Sequence, residues 1–236
     1  MSENKIVPIS IPGIHQAFWP YFVKNTNGEK IKVLDCGAGH GAFTKKLFEA
    51  GYDVSACDLF PNIFYYDKVS CKQADVTAHL PFEDEAFNAI VAMEIMEHIQ
   101  DHEVFFEESN RILEHGGSVY ISTPNVLSLK SRIRFLFTGF FYSFKPLEIR
   151  NYDGLQHVAS LTLDQYDYLA VKRGFKRAEY AYDKRQTTSV ILLILYPILW
   201  LMSKIKKTGS FHNQIDLLTG RIIFMKYEKE TALPKK

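Results

Sequence analysis

In the run Lys32-Val33-Leu34-Asp35-Cys36-Gly37-Ala38-Gly39-His40-Gly41-Ala42-Phe43, an apolar segment passes abruptly into glycines at every second position. No other stretch limits the fold as sharply. The apolar half has the length and composition of a buried parallel strand, and the glycine half opens onto an amphipathic helix expected from Thr44 to Ala50. Without a Cβ, the glycines let the backbone turn tightly and bring bare amides against a ligand. The N–H groups at the start of the helix aim at the same place. A nucleotide-like ligand is the expectation; a plain strand-to-helix turn is the simpler alternative.

The spacing bears on which ligand. A pyrophosphate-binding turn spaces its glycines G-x-G-x-x-G, whereas here the third comes one residue early and Asp35 stands at the strand end just before them. A carboxylate there repels a pyrophosphate and suits a ligand with a cationic amino-acid end. Asp35-Cys36-Gly37-Ala38-Gly39-His40-Gly41 resembles the first motif of the class I S-adenosylmethionine (SAM)-dependent methyltransferases, which implies that Asp35, Cys36, Gly37, Ala38 and Gly39 border SAM. A second strand, Tyr52 to Asp58, ends in an acid about 20 residues past the glycine turn, the interval at which the next parallel strand delivers a carboxylate to a ribose diol. Asp58, with Leu59 beside it, is therefore the expected ribose site.

Three further stretches carry the same resemblance. A third strand, Val69 to Asp75, closes on Ala74-Asp75-Val76 and resembles the third methyltransferase motif, implying that Asp75 and the Val76 N–H meet the adenine edge. Pro81-Phe82-Glu83-Asp84-Glu85-Ala86-Phe87-Asn88-Ala89-Ile90 resembles the family's "LPF-x-D-x-x-FD-x-I" run, with Asn88 where an acid is usual, and Met93 would pack on the adenosine face. Arg111-Ile112-Leu113-Glu114-His115-Gly116-Gly117 is similar to its "R-x-L-x-x-G-G" signature, expected to end the helix Asp101–Leu113 before a fifth strand at 118–122. The resemblance implies an α/β fold: a Rossmann-like, seven-stranded, mostly parallel sheet with helices on both faces, an antiparallel last strand near 221–227 and helical lid insertions.

Bulk properties fit one domain over 1–236. The chain is 47% hydrophobic and 23% charged, with a formal net charge of +1, which predicts no general attraction to nucleic acid. Cys36, Cys57 and Cys71 lack zinc-site spacing and read as reduced thiols of a cytoplasmic protein. Met1 to Ile14 has no charged region leading into an apolar core, so no signal peptide is expected. The resemblance implies that the aromatic helix His15–Val23 lies over the cofactor mouth; core filler is the alternative.

Met93-Glu94-Ile95-Met96-Glu97-His98-Ile99 holds the reactive side chains. A helix beginning near Glu94 would put Glu94, Glu97 and His98 on one face at the carboxyl edge of the sheet. Two carboxylates and an imidazole suit Mg, Mn, Fe or Zn. E-x-x-E-H resembles the metal motif of small-RNA 2′-O-methyltransferases and some quinone O-methyltransferases; by that resemblance His157 completes the set. The alternative is a metal-free site in which His98 is the general base.

From Thr123 to about 160 a lid or acceptor pocket is expected, with Lys130, Arg132 and Arg134 either meeting phosphates or lying on a solvated helix face. A second insertion, about 187–207, centres on the all-apolar 190–202, which falls short of the roughly 20 residues of a span and is expected to be broken by Pro197. It is expected as an interfacial anchor at the inner face of the membrane, or else as a core helix or dimer interface. The leading expectation is SAM-dependent O-methylation of a hydroxyl on a glycan or lipid-linked glycan. A quinone or prenylated aromatic, and then an RNA 2′-hydroxyl, are the rival acceptors; a dinucleotide-dependent oxidoreductase and a non-catalytic membrane-associated module are the readings from other classes.

Overall fold

β4 (Phe87–Met93) shows how the sheet is built. Ala89, Val91 and Met93 belong to one apolar core, and Ile90 and Ala92 to another on the opposite face. That period-two split is what a strand buried on both sides requires. The remaining strands are β1 (Lys32–Cys36), β2 (Asp53–Asp58), β3 (Cys71–Gln73), β5 (Leu113–Pro124), β6 (Phe175–Tyr182) and β7 (Ile222–Lys229). They form one seven-stranded sheet in the order β3-β2-β1-β4-β5-β7-β6, parallel throughout except that β7 runs antiparallel to both of its neighbours. The computed structural model describes residues 6–151 and 153–230.

Helices cover both faces. α1 (Ile14–Asn25) and α2 (Ala42–Glu49) supply Phe18, Phe22, Phe43 and Leu47 to one core; α3 (His102–Ile112) and α5 (Leu163–Lys172) supply Phe105, Phe106 and Tyr166 to the other. α1 meets both expectations: His15 lines the cavity around the glycine loop, and Phe18 and Phe22 fill the core, edge-on to Phe43, Tyr120 and Phe224. The Arg111 signature is also structural: its guanidinium meets Glu108 and Asp84, each at 2.7 Å, and donates to the Phe82 and Leu80 carbonyls at 2.8 and 3.0 Å. One side chain fastens the loop before β4 to α3.

Three local expectations change. The third strand is only three residues long. Glu114 to Gly117 do not cap a helix but enter β5, around an irregularity in its pairing with β4 that Gly116, at φ 76°, accommodates. No helix begins at Glu94 either: its N–H meets the Ser122 carbonyl at 3.0 Å, extending the β4–β5 ladder, and at φ 53° it turns the chain. α3 starts only at His102, where the Asp101 carboxylate accepts from the Val104 N–H at 3.1 Å.

β1, β2, β4, β5 and β6 all end at one edge of the sheet, and β7 starts there, Pro124 of β5 and Tyr182 of β6 pairing with Ile222 and Ile223. Two excursions leave from this edge: α4 (Leu129–Thr138) after β5, and α6 (Thr187–Ile191), a 3-10 turn (Leu192–Leu195) and α7 (Tyr196–Lys206) after β6. The second is one 20-residue helical run, Thr187–Lys206, long and apolar enough by length and composition to cross a membrane. It is longer than the expected 190–202, because Pro197 does not break it. Proline sits in the first turn of α7, where its missing N–H is not needed, after the 3-10 turn has absorbed the clash. The core-helix alternative fails, since Ser189 alone of the run is buried. α8 (Ile215–Thr219) then leads back into β7.

Candidate active site

The glycine loop is fixed from both sides. Thr44, in the first turn of α2, donates its hydroxyl to Asp35 Oδ2 at 2.6 Å. Asp58 at the end of β2 accepts from the Gly39 N–H at 2.8 Å through one oxygen and from the Phe60 N–H at 2.8 Å through the other. Gly41 (φ 82°) has no alternative residue, because a Cβ would stand 2.8 Å from the Phe64 ring and 2.9 Å from Tyr66 Cβ. Asp35 is buried beside Asp58, and burial, opposed by the Thr44 hydrogen bond, pushes its carboxyl up to about 7. A cationic ligand group would draw it back to the charged form.

Around this loop lies a cavity of about 410 Å³. Of the residues expected at the cofactor, Asp35, Gly37, Ala38, Gly39, Asp58, Leu59, Asp75, Val76 and Met93 all line it. Cys36 does not. Successive strand side chains alternate faces, so with Asp35 toward the cavity the Cys36 side chain enters the core, its Sγ 3.7 Å from that of Cys57. Asp75 has one oxygen taken by the Thr77 N–H and hydroxyl at 2.8 and 2.6 Å, leaving the other for a ligand donor.

The far wall carries Glu97, His98 and His157, whose donor atoms lie within 4.8 Å of one another. Glu97 is held by the Thr123 hydroxyl, which donates to Oε2 at 3.0 Å. Its backbone carbonyl accepts from the N–H groups of Val158 and Ala159 at 2.8 and 3.2 Å, which brings His157 to the cavity. The His157 ring stands edge-on to His98, centroids 4.8 Å apart. Nδ1 of His98 lies 3.0 Å from the Gln156 carbonyl; a carbonyl can only accept, so Nδ1 carries the proton and Nε2 keeps the lone pair. Burial lowers His98, and burial together with the neighbouring His98 lowers His157 to about 4, so both rings are neutral near pH 7. Burial and the nearby Glu94 carboxyl push Glu97 well up.

Glu94 is not part of this group. Without the expected helix it turns toward β5, accepting from the Ser122 hydroxyl at 2.9 Å, and burial raises it to about 7. The sequence gave no notice of Val7 to Ile11 and Phe60, which also line the cavity; His15, at the start of the helix expected over the cofactor mouth, and Gly154 and Leu155, within the expected lid, line it as well. The first of these segments is tied to the glycine loop by His40, whose Nδ1 meets the Val7 carbonyl at 3.0 Å. The expected phosphate-binding cations are engaged elsewhere. Arg132 meets the Asn213 side chain and the His212 carbonyl, Arg134 the Phe141 and Phe144 carbonyls, and the Lys130 ammonium lies over the Tyr142 ring at 3.9 Å.

A mostly parallel α/β sheet whose first two strands end in acids around a glycine loop defines a nucleotide-binding α/β protein. Comparison with known proteins makes this specific. Residues 34–121 match the family described as a methyltransferase domain. The chain is 29% identical over 132 residues to the ubiquinone biosynthesis O-methyltransferase of Pelagibacter ubique, covering 53% of this chain and 54% of that protein. It is also 29% identical over 102 residues to the demethylmenaquinone methyltransferase of Tropheryma whipplei, covering 41% and 42%. Among solved structures, a SAM-dependent methyltransferase from Archaeoglobus fulgidus superposes with a TM-score of 0.61 at 16% identity, over 91% of this chain and 94% of that one. The chain spans about half the length of the curated relatives it matches, and the structural likeness speaks for the fold. Residues 34–121, from β1 into β5, thus carry a methyltransferase domain, on a sheet of the fold that the Archaeoglobus fulgidus SAM-dependent methyltransferase shares.

Proposed function

We propose that the chain transfers the methyl group of SAM to a hydroxyl of a lipid-borne acceptor. The observation that carries this is the placement of Glu97, His98 and His157 in the same cavity as the glycine loop and Asp58. In-line displacement at a sulfonium needs the acceptor oxygen held against the methyl carbon, and a hydroxyl must also lose its proton. His98 Nε2, neutral and with a free lone pair, takes that proton as the oxygen–carbon bond forms; the sulfur–carbon bond breaks and sulfur keeps the electron pair. Glu97, anchored by Thr123, orients the acceptor hydroxyl or the imidazole.

The same three side chains fit a divalent ion. His157 Nδ1 is buried with no partner among the described residues, and one carboxylate with two imidazoles suits Mn, Fe or Zn better than Mg. Held by Glu97, His98 and His157, such an ion would lower the pKa of a bound hydroxyl. Glu94, expected as a fourth ligand, stands with Ser122.

For the acceptor, relatives named for ubiquinone biosynthesis O-methylation and for demethylmenaquinone methylation support a prenylated aromatic. The lipid-linked glycan expected from the sequence, and an RNA 2′-hydroxyl, have no such support. The test is transfer from labelled SAM into a cell extract separated into lipid, polysaccharide, RNA and protein fractions, with and without a chelator. Label in the lipid fraction that His98→Ala abolishes is the expected result. Label only in RNA or protein, or transfer unaffected by Glu97→Gln and His98→Ala, refutes the reading; loss on chelation assigns the ion.

A further inference from the structure

Two stretches of exposed apolar surface leave the sheet edge that holds the cavity. Along Thr187–Lys206, Ile191, Ile194, Ile198 and Ile205 recur at helical spacing and are 70%, 81%, 59% and 61% exposed. α4, packed against α6 and the 3-10 turn, adds Leu136 and Phe137 at 72% and 79%. Apolar surface this continuous marks a face that something covers.

Three observations choose the occupant. The first is topology. β6 and β7 flank the run and are hydrogen-bonded to each other, so a single crossing would set two paired strands on opposite sides of a bilayer. The run therefore lies along the domain, where polar contacts hold it: Ser189 Oγ accepts from the Lys130 N–H at 3.0 Å and Ser203 Oγ from Asn213 Nδ2 at 2.6 Å. The second is charge. Neither α4 nor 187–207 contains an acidic residue, Lys204, Lys206 and Lys207 close the run, and Lys184 and Arg185 precede it. A second copy seated on this face in either direction would set cation against cation, whereas an anionic headgroup layer supplies the counter-charge. The third is Trp200, half exposed, with the Lys204 ammonium 5.7 Å from its ring centroid. An indole beside a cation on an apolar helix suits the headgroup boundary.

We propose that α4 and Thr187–Lys206 form one in-plane docking surface for an anionic phospholipid bilayer, so that the cavity opens beside the membrane that carries the acceptor. Only that last clause rests on the acceptor reading above. The surface is also tied to the site. Arg134 of α4 donates to the Phe141 and Phe144 carbonyls at 2.8 and 3.0 Å, and the Phe144 ring stands 5.2 Å from that of His157. The docking helix and one catalytic wall share a strap.

The test is co-sedimentation of the full chain with vesicles of phosphatidylcholine alone or mixed with phosphatidylglycerol, without SAM or acceptor. The expected result is binding to the mixed vesicles with a blue shift of tryptophan emission that Trp200→Phe removes. Ile194→Asp with Ile198→Asp weakens binding by about tenfold or more, with the thermal midpoint and SAM affinity unchanged because both side chains are exposed. Wild-type protein left in the supernatant, or a double variant that binds as well as wild type, overturns the proposal. So does a dimer in light scattering that the double variant splits, which would make a second copy the occupant. Vesicle binding without label in any lipid refutes the acceptor reading and leaves the surface standing.

Discussion

Asp35 makes the sharpest quantitative test, because its titration couples stability to cofactor binding. Its carboxyl is buried, accepts one hydrogen bond from Thr44, and is raised from 3.8 to about 7. At about 1.4 kcal/mol per unit, ionising it inside the empty fold costs about 4 kcal/mol. The folded value lies above the unfolded one, so the stabilising effect is complete below about 3.8 and is lost as pH rises through about 7. Asp35→Asn keeps the shape and an acceptor for Thr44 but adds an amide N–H pair needing partners, which costs about 1–3 kcal/mol at every pH. Without SAM, the variant should therefore be less stable than wild type near pH 4, and equal or more stable near pH 8, the gap moving by about 4 kcal/mol. Urea unfolding across this range, read as the difference between the two proteins, cancels carboxylates elsewhere. A gap that stays constant would show that Asp35 titrates normally and would refute the burial argument. Calorimetry supplies the counterpart: wild-type SAM affinity should rise with pH up to about 7 and level off above it, whereas the variant's should not.

Three further substitutions separate chemistry from architecture. His98→Ala should lower kcat by about 10²–10⁴-fold and leave SAM binding unchanged, since it removes the base and not the cofactor contacts; equal losses in SAM affinity would place it in the wrong subsite. Gly41→Ala forces a Cβ against Phe64 and Tyr66 at φ 82°, and chemical denaturation should show a loss of about 1–3 kcal/mol. Arg111→Met strips the partner from Glu108, which also accepts the Leu80 N–H at 2.8 Å, and should cost about 2–3 kcal/mol. Its SAM affinity, measured well below the melting temperature, should be that of wild type.

What the sequence disclosed follows from how each signal is encoded. The cofactor end was legible because a strand, a glycine turn and the acids at 35 and 58 are local patterns with fixed periods, and β1 and β2 carry them to adjacent points by simple parallel pairing. Cys36 was misplaced for the opposite reason: a motif names consecutive residues, but a strand sends alternate side chains to opposite faces. Glu94 was grouped with Glu97 and His98 on helical spacing and on the likeness of E-x-x-E-H to a metal motif. Tertiary pairing overrode that spacing when Ser122 held the Glu94 backbone in the sheet. The Val7–Ile11 wall carries no periodic signal, so only folding brings it to the cavity, and Gly154 and Leu155 were covered only by the broad expectation of a lid. Pro197 was misread as a break because its effect depends on where the helical turn begins, which no residue count reveals.

The place of β7 has a consequence for the order in which the molecule is made. β6 is complete at Tyr182, yet its sole sheet partner among the described residues, and the neighbour that covers the open side of β5, is Ile222–Lys229. A chain emerging from the ribosome therefore shows two unpaired strand edges and the apolar run between them until this last strand arrives. Such edges invite pairing with other chains. The interval is a window of vulnerability, and chains released before Ile222 should be prone to aggregate even though the glycine loop and its acids are already made.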